Sequence, residues 1–297
     1  VPDALRAVLA QLAARLAAAP RLEPDVRADA AREAHLLVAG VLDCSPGELT
    51  QRLRQGPPLT TSDLDGVERA ARRREQGEPL AYAVGTAAFR DLVLMVDRRV
   101  LIPRPETEIV VGVALELTAD RPGGIAVDIG TGSGAIALSL ATEGRFDRVV
   151  ATDLSVDALE VAQGNAERAG VAGRVEFRAG SDLAPLADLK PPAAQARVIV
   201  SNPPYIAFEE AAALPGSVRG WEPSVALFAE RGGMARYDAL IAGASAVLEP
   251  LGWLVLEVDA RRGPATADLA VTHGYQQVRL VQDLAGRDRV LVARRSS

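Results

Sequence analysis

Apolar residues recur at three- and four-residue steps through residues 4–18 (Leu5, Val8, Leu9, Leu12, Leu16) and again through 26–42 (Val26, Ala30, Ala34, Leu37, Val41). That spacing lines one face of an α-helix. Shorter helices are expected over 46–54 and 61–77, with Asp25, Ser45 and Ser62 as N-caps and with Pro20 and Pro57-Pro58 as breaks. Residues 1–77 thus read as a small helical bundle. From 78 to 100 the period changes: Tyr82, Phe89, Leu92, Leu94 and Val96 alternate around turns, which predicts a β-hairpin linker. A helix over 106–118 follows the Pro103–Pro105 turn.

Residues 101–297 form the second domain, and beyond 124 strand and helix patterns alternate. Strands are expected at 124–129, 148–152, 174–178, 197–201, 251–257, 276–282 and 288–294. Helices are expected at 134–143, 155–169, 235–248 and 262–273. Short strands separated by helices imply an α/β fold with a mostly parallel sheet covered on both faces. Only Leu284-Ala285-Gly286-Arg287 separates the last two strands, too few residues for a parallel crossover, so those strands should pair antiparallel. A Rossmann-like seven-stranded sheet with its last strand reversed is the arrangement of class I methyltransferases.

Composition narrows the function. The chain has 297 residues, 48% of them hydrophobic and 24% charged, a balance typical of globular proteins. Its net charge of −6 argues against a broad phosphate-binding surface, so direct nucleic-acid binding is not expected. Two histidines, His35 and His273, and one cysteine, Cys44, stand far apart; neither a metal site nor a histidine triad is expected. Cys44 lies among apolar residues and reads as a buried thiol, and the run Arg72-Arg73-Arg74 reads as a solvated helix face. Arg6, Gln11 and Arg15 interrupt the Ala/Leu-rich start at helical spacing, so it reads as an amphipathic helix and not a signal peptide. No apolar run approaches the ~18 residues of a membrane span. A cytoplasmic monomer is expected.

The strand at 124–129 runs into Gly130-Thr131-Gly132-Ser133-Gly134 and then a helix. Glycines there let the backbone turn sharply and approach a ligand without a Cβ in the way. The spacing Gly-x-Gly-x-Gly differs from the dinucleotide fingerprint Gly-x-Gly-x-x-Gly. Asp153 ends the next strand, 23 residues beyond Gly130, where an acid holding ribose hydroxyls is expected. The competing role is an N-cap, which Asp153 or Ser155 could serve. Asp182, after the third strand, could accept from an adenine amine or be a plain loop residue. Asp128 either orders the glycine turn or meets the ligand's amino group.

The most specific signal is Asn202-Pro203-Pro204-Tyr205, which ends the strand Val198-Ile199-Val200-Ser201. A planar amide or arylamine nitrogen has a delocalised lone pair and is a poor nucleophile toward a sulfonium methyl. The Asn202 side-chain oxygen and the Pro203 carbonyl can each accept one N–H of such an NH₂ group, orienting it and stabilising positive charge as it develops. The prolines hold both acceptors rigidly, and Tyr205 offers a face on which the planar group can stack. Asn202, Pro203 and Tyr205 are the expected catalytic residues; with Pro204 they form the substrate grip.

With these residues in place, the chain resembles the HemK family, protein-glutamine methyltransferases of peptide-chain release factors. The resemblance rests also on Glu78-Pro79-Leu80-Ala81-Tyr82 with Gly85 and Phe89, and on Leu101-Ile102-Pro103-Arg104-Pro105-Glu106-Thr107-Glu108. Glu222-Pro223 with Ala226-Leu227, and Gly286-Arg287-Asp288-Arg289, also match. It implies that residues 130–134, Asp153, Asp182, Leu183 and Asn202 bind S-adenosylmethionine. Residues 202–205 would grip the glutamine of a release factor's Gly-Gly-Gln loop, and residues 1–77 would serve substrate recognition. Leu183 stands where the family often has an aromatic residue, 184–196 reads as a surface insertion, and Asp259 and Arg262 replace family glycine and glutamine. A ribosomal-protein glutamine and adenine's exocyclic amine are rival substrates, since both pose the same nucleophile problem.

Overall fold

The computed structural model describes residues 2–189 and 195–297, which fall into two compact units. The first comprises residues 1–86 together with 213–221. It contains α1 (Pro2–Ala18), α2 (Pro24–Ala28), α3 (Ala30–Val41), α4 (Pro46–Gln55), α5 (Thr61–Glu75) and α6 (Leu80–Val84). Leu12, Leu16, Leu37, Val38 and Leu49 meet in its apolar core.

Local chemistry shifts several expected boundaries. The helix predicted over 26–42 breaks at Asp29, and Glu23, not Asp25, precedes α2. Ser45 caps α4 in a reciprocal pair with Glu48, as its spacing suggests. On α5 the cap is Thr60, because Asp63 reaches back to the Thr60 amide while the Thr60 hydroxyl accepts from the Asp63 amide; Ser62 lies inside the helix. Tyr82 belongs to α6, fully buried, and not to a strand. Cys44 is only partly buried. The arginine run is not one solvated face. Arg74 continues the buried stripe Val67, Ala70, Ala71 and bonds Glu33 at 2.6 Å and the Glu78 carbonyl at 2.9 Å. Arg73 pairs with Glu78, and Arg72 alone of the three bonds only at an exposed site, to Glu68.

The second unit comprises residues 87–212 and 222–297. A hairpin of β1 (Thr86–Phe89) and β2 (Leu92–Met95) precedes α7 (Pro105–Thr118). Then come β3 (Ile125–Ile129), α8 (Ala135–Glu143), β4 (Arg148–Asp153), α9 (Val156–Arg168), β5 (Val175–Ala179) and β6 (Ala196–Ser201). Two-residue strands β7 (Ile206–Ala207) and β8 (Phe228–Ala229), not expected from the sequence pattern, pair parallel across the segment after β6. The chain closes with α10 (Ala235–Ala244), β9 (Leu248–Glu257), α11 (Gly263–Thr272), β10 (Gln276–Gln282) and β11 (Asp288–Arg294).

The seven-stranded sheet has the order β10-β11-β9-β6-β3-β4-β5, with β11 antiparallel to both neighbours and the remaining pairs parallel. This is the class I methyltransferase fold. Alternate strand residues serve two cores. Ala126, Val149, Val198 and Val255 pack under α7 and α8, whereas Val127, Val150, Ile199 and Leu254 pack under α10. Strand order reverses between β3 and β6, and at such a switch point the loops diverge to leave a crevice beyond the strand ends. Leu186 and Leu189 are buried in the second core, so the beginning of the expected 184–196 insertion is not surface; residues 190–194 lie outside the described residues.

Candidate active site

At this switch point a cleft with about 810 Å³ of empty space, partly open to solvent, is walled by the ends of β3, β4 and β6. Gly130, Gly132, Asp153, Asp182, Asn202, Pro203 and Pro204 all line it. Residues up to 74 positions apart in sequence thus meet because parallel strands in register end together. The Ser201 hydroxyl donates to the Ile129 carbonyl at 2.6 Å, clamping the ends of β6 and β3.

The glycine loop is held from behind. Its Gly130 and Thr131 amides both donate to the Thr152 carbonyl at 2.9 Å. The buried Thr131 hydroxyl donates to Asp128 Oδ2 at 2.6 Å, and the Ala137 amide donates to the same oxygen at 3.0 Å. Asp128 therefore orders the glycine turn, one of the two roles its position suggested; its Oδ1 is buried with no hydrogen-bond partner among the described residues. Ser133 is buried, its carbonyl accepting from Asn165 Nδ2 at 2.9 Å. Asn165 also exchanges hydrogen bonds with the Met95 backbone, fastening β2 to the loop. Sequence reasoning missed Asn165, since an asparagine inside a helical pattern carries no signal of distant partners.

Gly130 and Gly132 have φ of +74° and +54°, and a Cβ on either would meet nothing within 4 Å among the described residues. The cleft therefore has open room directly over the backbone, as a closely approaching ligand requires. Gly134 differs: at φ +87° its Cβ would press on Leu138 at 3.1 Å and Ala162 at 3.3 Å. Gly134→Ala is expected to lower unfolding stability by about 1–2 kcal/mol through the left-handed backbone alone, as a shifted denaturant midpoint would show.

Asp153 Oδ2 accepts from the Gly132 amide and Oδ1 from the Ser155 amide, both at 2.9 Å. Ser155 is the N-cap of α9, accepting from the Ala158 amide. The carboxylate is fixed in orientation, and each oxygen keeps a further lone pair for a ligand. Asp182 sits at the cleft wall at φ +50°, and Arg236 Nη1 donates to both its oxygens, at 3.1 and 2.9 Å. Leu183 does not line the cleft; its side chain covers Gly243 and packs against the second core. Asn202, Pro203 and Pro204 face the cleft, whereas Tyr205 packs half-buried beside the second core with its hydroxyl 3.3 Å from Glu257 Oε1.

The cleft thus joins a glycine cradle and an oriented carboxylate to the Asn-Pro-Pro turn. Models of the Methyltransferase small domain and of the PrmC N-terminal domain match residues 112–214 and 7–85. A release factor glutamine methyltransferase of Cereibacter sphaeroides is 39% identical over 278 residues, covering 94% of this chain and 96% of its own length. One from Moorella thermoacetica is 40% identical over 296 residues and 98% of each chain. The chain belongs to the release factor glutamine methyltransferase family. The solved hMettl16 catalytic domain in complex with MAT2A 3'UTR hairpin 1 superposes with a TM-score of 0.58 at 17% identity, over 78% of this chain and 81% of its own. A Pyrococcus furiosus methyltransferase gives 0.52 at 19%, over 76% of this chain and 100% of its own. At those identities the likeness is one of fold.

The segments that carried the family resemblance converge behind the Asn-Pro-Pro turn. Arg104 pairs with the buried Glu222 at 2.5 Å, and the Ile102 amide donates to Glu222 at 3.3 Å. Glu106 lies 4.0 Å from Arg289, which also bonds Asp283. The Thr107 hydroxyl donates to Glu257 Oε2 at 2.6 Å and accepts from Asn202 Nδ2 at 3.1 Å.

Burial pushes the carboxyls of Asp128 and Glu257 up to about 7. A carboxyl raised on folding favours the native state fully below its ordinary value, and the contribution is lost as pH rises through about 7. The thermal midpoint of Glu257→Gln relative to the native protein is therefore expected to climb by a few degrees between pH 5 and pH 8.5; calorimetry at both values checks it.

Proposed function

We propose that this protein transfers the methyl group of S-adenosylmethionine to the side-chain amide nitrogen of the glutamine in a peptide-chain release factor's Gly-Gly-Gln loop. One observation carries the reading: family membership extends over nearly the whole chain, and the Asn-Pro-Pro turn and the glycine cradle open into one cleft. The cleft fits the donor on its own geometry, with open space over Gly130 and Gly132 and spare lone pairs on Asp153.

S-adenosylmethionine supplies an electrophilic methyl carbon on a sulfonium. The residues do the rest. Asp153 accepts from the ribose hydroxyls, with residues 130–134 shaping the floor and Asp182 bordering the adenine end. Asn202 Oδ1 and the Pro203 carbonyl accept the two N–H groups of the glutamine amide, turning its nitrogen toward the methyl carbon and stabilising the charge that develops there. Pro204 stiffens the turn, and Tyr205, packed beside the second core, anchors its far end through Glu257. The proton leaves to water after transfer, so no general base is assigned.

In this reading residues 1–77 recognise the release factor, 78–100 link, and 101–297 carry the chemistry, in a cytoplasmic monomer. No helix among the described residues is long and apolar enough to cross a membrane. Methyl-labelled donor offered with purified release factor, ribosomal protein and adenine-containing DNA tests the reading. Label on the release factor alone supports it; label on either of the others, with none on the release factor, overturns it.

A further inference from the structure

We propose that Thr107 and Glu257 are positioning residues that decide which end of the Asn202 amide faces the substrate. Asn202 makes its hydrogen bond to Thr107 through Nδ2, and Thr107 in turn bonds Glu257. Both supporting side chains are buried, at 4% and 2% exposure, so water does not compete for them. The Tyr205 hydroxyl reaches the other oxygen of the same carboxylate, so Glu257 anchors both ends of the Asn-Pro-Pro-Tyr turn.

The direction of this relay is what matters. A threonine hydroxyl has one proton, and the Glu257 carboxylate, ionised above the value near 7 to which burial raises it, only accepts. With the Thr107 proton committed to Glu257, the hydroxyl oxygen can only accept from Asn202. The amide must then place its NH₂ against Thr107 and leave Oδ1 for the cleft. An asparagine without that constraint could turn over, setting its own NH₂ against the NH₂ of a substrate amide, donor against donor. The relay joins positions 95 and 150 residues apart, and it gives Thr107 in the Leu101–Glu108 segment a physical task.

Three substitutions separate direction from mere packing. In Glu257→Gln the new amide can donate to Thr107, releasing the hydroxyl proton toward Asn202 and reversing the relay in nearly unchanged volume. Thr107→Val cuts the relay, and Thr107→Ser keeps it. This inference rests on the proposed methyl transfer: absence of glutamine methylation by the native protein would sink that reading, whereas the present one is judged against an active native enzyme.

The test measures kcat, the KM for release factor and the Kd for S-adenosylmethionine on the full chain at pH 8.5. The expected result is a fall in kcat of about 30-fold or more for T107V and for E257Q. Donor Kd should stay within about 3-fold, and T107S should restore most of the turnover. The double variant T107V/E257Q should be no slower than the worse single one, since both cut one relay. Turnover by T107V and E257Q within about 3-fold of native, or a parallel loss of donor affinity, would overturn the proposal. Should T107V fail to fold, E257Q against the native protein and T107S decides the same question.

Discussion

Asn202→Ala is expected to lower kcat for glutamine methylation by about 10²–10³-fold, the effect of deleting one pre-oriented polar group at a centre of developing charge. The side chain lines the cleft at the end of β6, and its Nδ2 is already engaged by Thr107. Its side-chain oxygen is the acceptor that the substitution removes. The Pro203 carbonyl, fixed by the ring and by the following proline, remains, so residual turnover above background is expected. Donor affinity should change by no more than about 3-fold, because Asp153 and the glycine cradle are untouched. Single-turnover kinetics with saturating donor, beside calorimetric titration of the donor, separates the two quantities. A variant that kept native turnover would remove Asn202 from the chemistry.

Asp153→Ala should give the opposite signature. Its carboxylate is oriented by the Gly132 and Ser155 amides, and hydrogen bonds to a charged acceptor contribute about 1.5–3 kcal/mol each. Losing it should raise the donor Kd by about 10–100-fold, while kcat at saturating donor falls only a few-fold. Asp153→Asn should lie between, since the amide oxygen can still accept one proton. The opposed patterns, turnover lost at 202 and donor binding lost at 153, test whether the two halves of the cleft divide the labour.

Much of this architecture is legible in the chain because it is written in local periodicity. All seven strands of the sheet stand within a few residues of their expected positions, and the short loop before β11 fixed its reversed direction. The crevice follows from topology, since parallel strands end at one edge, and there Gly130, Gly132, Asp153, Asn202, Pro203 and Pro204 meet. What escaped depends on partners far away in sequence. Arg74 looked like a solvated cation because nothing local announces Glu33 on α3. Thr107 was legible only as one member of a family motif and Glu257 only as a strand end; their contact comes from the fold. Leu183 and Tyr205 were assigned by position in a motif, but where a side chain points depends on packing, and both pack against the second core. Cap residues failed for a smaller reason: Thr60 and Ser62 are equally good candidates until the partner three residues on, Asp63, selects Thr60.

Two oxygen acceptors, Asn202 Oδ1 and the Pro203 carbonyl, presented to a substrate amide beside a methyl donor, are the core of the proposed chemistry. The direct measurement is a crystal structure of the protein with a non-reactive S-adenosylmethionine analogue and a Gly-Gly-Gln peptide. The glutamine nitrogen is expected within hydrogen-bonding distance of both oxygens, with the peptide's amide plane open to the donor's sulfonium side. A glutamine seated elsewhere, or an Asn202 whose NH₂ faces the peptide, would contradict that chemistry.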